Sequence, residues 1–385
     1  MTEIYLDNAA TTPMAPEVID VMTQEMKNDF GNASSTYELG RKARHTIDYA
    51  RNQIARAINA TEGEIIFTSG GSESNNTAIF GVAHSRYKIG KKIITTKIEH
   101  PSVLNPMREL EREGYDVTYL DVDETGHISL ADLKQALTPE TILVSVMAVN
   151  NEVGSINPLA EIGDLVAASN AYFHVDAVQG LGNIDLDVKQ MKIDLLSTSA
   201  HKINGPKFLG FLYENQKIQL PPLIMGGEQE VKRRAGTENV PAIAGFGAAV
   251  NAIAAVDKTA LQATYQHWQD LILQFLDQAG VQYQINGGRG KQVSHHVLNL
   301  RINGVATTIL QANLDLAGFA VSGGSACTAG SLEPSHVLVA CFGKKSPRVN
   351  ESIRISFGRY NTDQEVKAFA AALAKIALKV QQKNK

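Results

Sequence analysis

Several residues of this chain carry side chains suited to holding one small, polyfunctional ligand. Lys202, in the stretch Ser-Thr-Ser-Ala-His-Lys, follows an apolar run; an amine in a partly desolvated position can lose its proton and capture an aldehyde. Asp176, in His-Val-Asp-Ala-Val-Gln, offers a carboxylate to a protonated ring nitrogen, and His100, in Glu-His-Pro, offers a flat group to stack on a ring. Gly71, Ser72, Ser199 and His201 offer hydroxyls, an imidazole and a helix start, which suit a phosphate. Phosphate, pyridinium and aldehyde together describe pyridoxal 5′-phosphate (PLP). Taken singly, each signal has a plainer reading. Ser72 with Glu73 makes an ordinary helix N-cap, a lone histidine is often a satisfied core residue, and TSGGSESNN is neither a Walker loop nor a Gly-x-Gly-x-x-Gly turn.

The elements that must position these groups alternate along the chain. Strands are expected over 64–70, 92–97, 115–122, 141–151, 171–180, 194–202 and 208–214, with helices over 72–88, 101–114, 131–137 and 159–170 between them. Such alternation predicts a largely parallel α/β sheet covered on both faces, with ligands beyond the carboxyl ends of its strands. Five of those ends supply polar groups: Ser72, His100, Asn151, Asp176 with Gln179, and Ser199 to Lys202. The apolar stretch 241–256 reads as a buried helix, since Asn251 interrupts it and it is too short for a membrane span. Beyond about residue 255 the pattern becomes α+β: helices over about 257–279, 306–317 and 362–380, and apolar runs at 295–302 and 352–358. The expected division is a large ligand-binding domain over 14–255 and a smaller one over 256–385 that includes 1–13.

Composition limits the function class. The 385 residues carry 36 basic and 40 acidic side chains, a net charge of −4 that lacks the basic excess of a nucleic-acid binder. MTEIYLDNAATTP has neither the basic flank nor the apolar run of a secretion leader, so a cytoplasmic location without membrane attachment is expected. Two cysteines make no disulfide framework, and no metal site is expected. Cys341, at helical spacing among apolar residues, reads as core. Cys327, in SGGSACTAGSLEPS, is surrounded by glycine, alanine, serine and threonine and reads as chemical.

The ordered set LDNAATTP, FTSGGSESNN, EH, VNNEVG, HVDAVQ, SAHK and SGGSACT resembles the cysteine desulfurases, class V aminotransferase-like enzymes of PLP fold-type I, along essentially the whole chain. The resemblance implies a large domain built on a mostly parallel seven-stranded sheet and a smaller α+β C-terminal domain. It implies Lys202 as the covalent anchor of PLP and Asp176 as partner of the pyridine N–H. Gln179 would meet the phenolic oxygen, His100 would stack on the ring and Asn151 would touch ring or substrate. Gly71, Ser72, Ser199 and His201 would hold the phosphate, Ser72 standing where relatives usually have threonine. Thr237, in RRAGTEN, would reach the phosphate of a neighbouring subunit, which implies a homodimer. Arg354 would grip the substrate carboxylate, with Arg359 as a lesser alternative. Cys327 would take sulfur from L-cysteine, leaving alanine, and pass it from a persulfide to an acceptor: an iron–sulfur scaffold, a tRNA-thiolation enzyme or thiamine synthesis. The short polar tail lacks the extension some relatives use to dock a scaffold. The competing activities are a selenocysteine lyase, another PLP aminotransferase-like reaction, or an inactive scaffold.

Overall fold

The computed structural model describes residues 3–323 and 334–383. In chain order it begins with β1 (Ile4–Tyr5), α1 (Pro16–Asn28), α2 (Glu38–Ala57), β2 (Ile65–Thr68), α3 (Gly71–Arg86), β3 (Lys92–Thr96) and α4 (Pro101–Arg112). Next come β4 (Asp116–Leu120), α5 (Leu130–Ala136), β5 (Thr141–Ser145), α6 (Leu159–Ala167), β6 (Tyr172–Asp176), β7 (Leu195–Ser197), β8 (Gly210–Glu214) and α7 (Val240–Ala254). The remainder is α8 (Lys258–Ala279), β9 (Tyr283–Asn286), β10 (Val297–Ile302), α9 (Thr307–Leu316), β11 (Phe319–Ala320), α10 (His336–Phe342), β12 (Ser352–Ser356) and α11 (Asp363–Lys383).

Seven strands form one sheet in the order β2-β8-β7-β6-β5-β3-β4. Only β8 opposes the rest; it pairs antiparallel with both β2 and β7, while β7, β6, β5, β3 and β4 pair in parallel. The expected mostly parallel α/β sheet is therefore present. Its inner strands are buried along nearly their whole length because both faces are covered. On one face lie α1, α2, α6 and α7, around Ile47, Ile54, Phe173 and Phe246; on the other lie α3 and α4, around Ile79, Val82, Met107 and Leu110. His174, inside β6, is a satisfied core histidine: its ring nitrogens meet Ser145 Oγ at 2.8 Å and Ser197 Oγ at 3.0 Å, and burial pushes it down to about 3.

Several expectations change. The strand read over 171–180 is β6 over Tyr172–Asp176, and that read over 194–202 is β7 over Leu195–Ser197, followed by a helical turn at Ala200–Lys202. Of the strand read over 141–151, β5 covers Thr141–Ser145, with backbone bonds from Val146 and Ala148 to His174 and Asp176 beyond it. Asn150 ends the extended run, because its Oδ1 accepts the backbone N–H groups of Glu152 and Val153 and folds the chain into a turn. Ser72 is not the N-cap of α3 either. Gly70 holds that position at φ 146°, in a region closed to side chains, and the helix begins at Gly71.

From α8 onward the chain forms a second core. The antiparallel sheet β12-β10-β9 packs with α8, α9 and α11 around Trp268, Leu300, Ile353 and Phe369. Leu6, just past β1, is fully buried in this core, since β1 pairs with β11 and Leu6 N donates to Ala320 O. The predicted buried helix is α7, and α8 departs from it at 80°. Among the described residues no single helix is long and apolar enough to cross a membrane.

Candidate active site

A cavity of about 400 Å³ opens at the carboxyl ends of the parallel strands. It collects Gly71, Ser72, His100, Asn151, Asp176, Gln179, Ser199, His201, Lys202 and Arg354, all read from sequence as site residues. Thr237 is not among the lining residues; it is exposed on a strap whose next residue, Glu238, pairs with Arg44 at 2.8 Å. Cys327 lies outside the described residues. Cys341 is buried beside Ile98 and Met147, where burial pushes its thiol up to about 12, so it is core as read.

The floor is made by β2, β6 and β7. At the end of β2 the chain must pass close to β8: a Cβ on Gly210 would stand 2.7 Å from Gly70 Cα, and one on Gly71 would stand 2.6 Å from a Val178 methyl. Glycine at these places lets α3 start flush with the sheet, with its free first-turn N–H groups at the cavity. Glu73 would oppose an anion there, but Arg234 Nε at 2.9 Å and the Ser69 N–H at 2.7 Å hold its carboxylate. Asp176, at the end of β6, is 4% exposed and accepts from Val178 N at 3.0 Å and Asn75 Nδ2 at 2.8 Å. Asn75 Oδ1 is buried without a partner. Beyond β7 a single helical turn over Ala200–Lys202 lifts Lys202, whose Nζ donates to Ala9 O at 2.5 Å and Ala10 O at 2.8 Å. His201 Nδ1 lies 3.1 Å from Thr11 Oγ1; burial, with Lys202 and Lys207 nearby, pushes its ring down to about 4.

His100 caps α4. Its Nδ1 accepts the Ser102 N–H at 3.1 Å and stands 2.7 Å from Ser102 Oγ, which also accepts from Asn75 Nδ2 at 2.8 Å. Burial lowers the pKa of the ring, Lys202 and His336 add to that, and Asp176 opposes it. With Nδ1 as acceptor, a neutral ring carries its hydrogen on Nε2.

Arg354 enters from β12 and is 1% exposed. Its Nη2 donates to Asp7 Oδ1 at 2.6 Å and its Nη1 to Asn151 O at 3.0 Å, while Nε is buried without a partner. Sequence reasoning gave this arginine to an incoming carboxylate and missed Asp7, although Asp7 lies in the quoted LDNAATTP. The carbonyls of Ala9 and Ala10 from the same stretch, and Asn75 and Ser102, were missed as well. Arg359 lies elsewhere, on a smaller cavity behind Lys202 and 3.8 Å from Glu17.

The described residues on either side of 324–333 are fastened to this site. Ser322 pairs with Arg354 across the backbone, at 3.1 and 2.7 Å. Ser335 Oγ bonds to the buried Glu152 carboxylate, and His336 Nε2 lies 2.8 Å from Glu99 O, next to His100.

Comparison with known proteins agrees with this architecture. The Aminotransferase class-V family profile matches residues 4–369. A Bacillus subtilis protein named IscS 1 is 50% identical over 98% of this chain and 99% of its own length. "Cysteine desulfurase IscS" of Methanosarcina thermophila is 42% identical over 98% of this chain and 92% of its own. Among solved structures, a "NifS-like protein" superimposes with a TM-score of 0.88 at 33% identity, covering 97% of this chain and 99% of that one. The structure described as "SspA in complex with cysteine" gives 0.81 at 35% identity, covering 94% and 100%. A chain matched over this length, at this identity and with this fold belongs to the class-V aminotransferase family and, within it, to the cysteine desulfurases.

Proposed function

We propose that this chain is a PLP-dependent cysteine desulfurase that converts L-cysteine to L-alanine and carries the sulfur away as a persulfide on Cys327. The observation that carries the reading is one cavity that brings together Lys202, Asp176, His100 and Arg354. Its residues fit PLP. A helix start with Ser72 and Ser199 suits the phosphate, Asp176 suits the ring nitrogen, and the Lys202 amine suits the aldehyde. When bound, PLP supplies an aldehyde that captures the substrate amine and a ring that withdraws electrons from the bonds at its α-carbon.

The chain's own groups do the rest. Asp176 keeps a proton on the ring nitrogen, and Asn75 and the Val178 N–H orient its carboxylate. Lys202 would hold the aldehyde of the bound group and is placed to move the substrate α-proton. His100, fixed by Ser102 and kept neutral by burial, would stack on the ring. Gln179 and Asn151 contact the ring and substrate edge, and Gly71, Ser72, Ser199 and His201 take the phosphate. Arg354 takes the substrate carboxylate with its planar fork, and Asp7 holds that fork in place. Cys327 thiolate attacks the substrate sulfur: an S–S bond forms, the Cβ–S bond breaks, and carbon keeps the electron pair and takes a proton to become the alanine methyl. The anchoring of Ser322 to Arg354, and of Ser335 and His336 to Glu152 and Glu99, supports a role for the intervening segment at this site. Sulfur then passes to acceptors such as an iron–sulfur scaffold, a tRNA-thiolation enzyme or thiamine synthesis, in the cytoplasm. In this reading residues 14–255 bind the cofactor, and 256–385 with 1–13 form the smaller domain.

The purified protein with PLP and a thiol reductant is expected to release alanine and sulfide from L-cysteine in equal amounts; no alanine would overturn the reading. In the same assay Arg354→Lys keeps a cation beside Asp7 but loses the fork, so KM for cysteine should rise about tenfold while kcat changes little. An unchanged KM would reassign Arg354 to structure.

The reading includes a homodimer in which Thr237 reaches the phosphate of the neighbouring site. Supporting it, Phe208 at the cavity rim is 81% exposed, and Met225 and Val231, on the strap that carries Thr237, are 80% and 81% exposed. Arg234, on the same strap, reaches the cavity edge at Glu73. Lys202→Ala and Thr237→Ala subunits, each weak in PLP binding alone, should recover one tightly held PLP per mixed dimer. No recovery on mixing would mean that each subunit holds its phosphate unaided.

A further inference from the structure

Gln179 stands in the wall between the main cavity and the smaller one of about 40 Å³ behind Lys202. Both ends of its amide are engaged. Nε2 donates to Ala9 O at 2.9 Å, the same carbonyl that accepts from Lys202 Nζ. Oε1 lies 3.1 Å from Nε2 of His296, a residue only 4% exposed. On the far side of that ring, Ser294 Oγ lies 2.7 Å from Nδ1, and Ser294 Oγ accepts from Gln262 Nε2 at 3.3 Å.

One arrangement of hydrogens satisfies all of these contacts. Gln179 Oε1 can only accept, so His296 Nε2 carries a hydrogen. Nδ1 of a neutral imidazole is then an acceptor, and the Ser294 hydroxyl donates to it. Turning the Gln179 amide over would set Oε1 against Ala9 O, two acceptors in contact, and would meet His296 Nε2 without conflict only if the ring moved its hydrogen to Nδ1. Double protonation of His296 is opposed by burial, with Arg354, Lys202 and His295 adding to the effect, which together push the ring down to about 3. Its backbone is held as well: His296 O accepts from Phe357 N at 2.8 Å, just past the strand that carries Arg354.

We propose that His296, backed by Ser294, is a positioning residue that locks the Gln179 amide with its N–H edge toward Ala9 and the cofactor cavity. Gln179 Nε2 has two hydrogens and Ala9 takes one, so the lock leaves the site a donor that selects an anionic ring oxygen on its ligand. The inference rests on the PLP reading above, in which Gln179 meets the phenolic oxygen. It adds a residue, contributed by the turn before β10, that no cofactor atom need touch.

The test uses the full-length protein loaded with PLP and compares wild type, His296→Leu and His296→Gln. The readouts are the pH midpoint of the visible band and the rate at which PLP leaves. A donor to the phenolic oxygen stabilises its ionised form and lowers the midpoint, so losing the lock raises it. Asp176, Lys202, His100, His201 and Arg354 stay in every variant, so their fields are common to all. For His296→Leu the midpoint should rise by about one unit and PLP should leave about tenfold faster, the scale of one hydrogen bond to a charged group. His296→Gln returns an N–H donor and should lie within about threefold of wild type in PLP release. In a Gln179→Leu background, His296→Leu should add nothing further.

A His296→Leu protein with wild-type midpoint and release rate would overturn the proposal. So would an effect of equal size with and without Gln179. Should His296→Leu not fold, Ser294→Ala removes only the donor to Nδ1 and should shift the midpoint in the same direction by less; no shift would count against the lock. A wild-type protein that takes up no PLP would instead sink the cofactor reading itself.

Discussion

Lys202→Ala should fold, purify without the visible colour of bound PLP, and lose desulfurase activity by at least about a thousandfold, as expected when an anchoring amine and a proton carrier are removed together. The structural cost should be modest. The substitution takes donors from Ala9 O and Ala10 O, but Ala9 O keeps Gln179, so a penalty on the order of 1–3 kcal/mol is expected from the carbonyl left short. Thermal melting of the apoproteins separates this cost from the loss of chemistry. A yellow, active Lys202→Ala protein would remove Lys202 from the mechanism.

Cys327→Ala should give the opposite pattern. The protein should bind PLP with normal colour and take up L-cysteine with a spectral change, yet form neither alanine nor sulfide, its turnover lower by about three or more powers of ten, as when a covalent nucleophile is deleted. The measurement is alanine released with a thiol reductant present, beside wild type at equal PLP content. Equal alanine from both proteins would mean that sulfur leaves without Cys327 and would favour a lyase-type release. The two variants differ in what they retain: one loses cofactor and chemistry, the other chemistry alone.

Local pattern was enough for much of this protein. A strand of buried apolar residues, followed by a glycine or a polar group and then by helical spacing, marks a strand end wherever it occurs. Ser72, His100, Asn151, Asp176 and Lys202 each follow such a run, and each lines the cavity. The N-terminal helices α1 and α2 were not assigned, although the spacing of Ala43, Ile47, Ala50 and Ile54 already marks the buried face of α2. Strand β9 also carried a signal: Val281-Gln-Tyr-Gln-Ile285 alternates apolar and polar residues, and in Tyr283–Asn286 Tyr283 and Ile285 are half-buried while Gln284 between them is exposed, the pattern of a half-buried strand.

What the sequence alone determined was the alternation of strands and helices, the residues at the strand ends, and through their combined order the family. Tertiary structure decided which strands are neighbours, that β8 runs against the rest, and which partners the site residues keep. Arg354 meets Asp7 across 347 residues, Lys202 meets Ala9 across 193, and Gln179 meets His296 across 117. The physical reason is the range of the forces involved. Hydrophobic period and turn chemistry act within a few residues and leave their mark on the chain. A hydrogen bond or ion pair between distant segments depends on where two cores finally pack, and no local spacing records it.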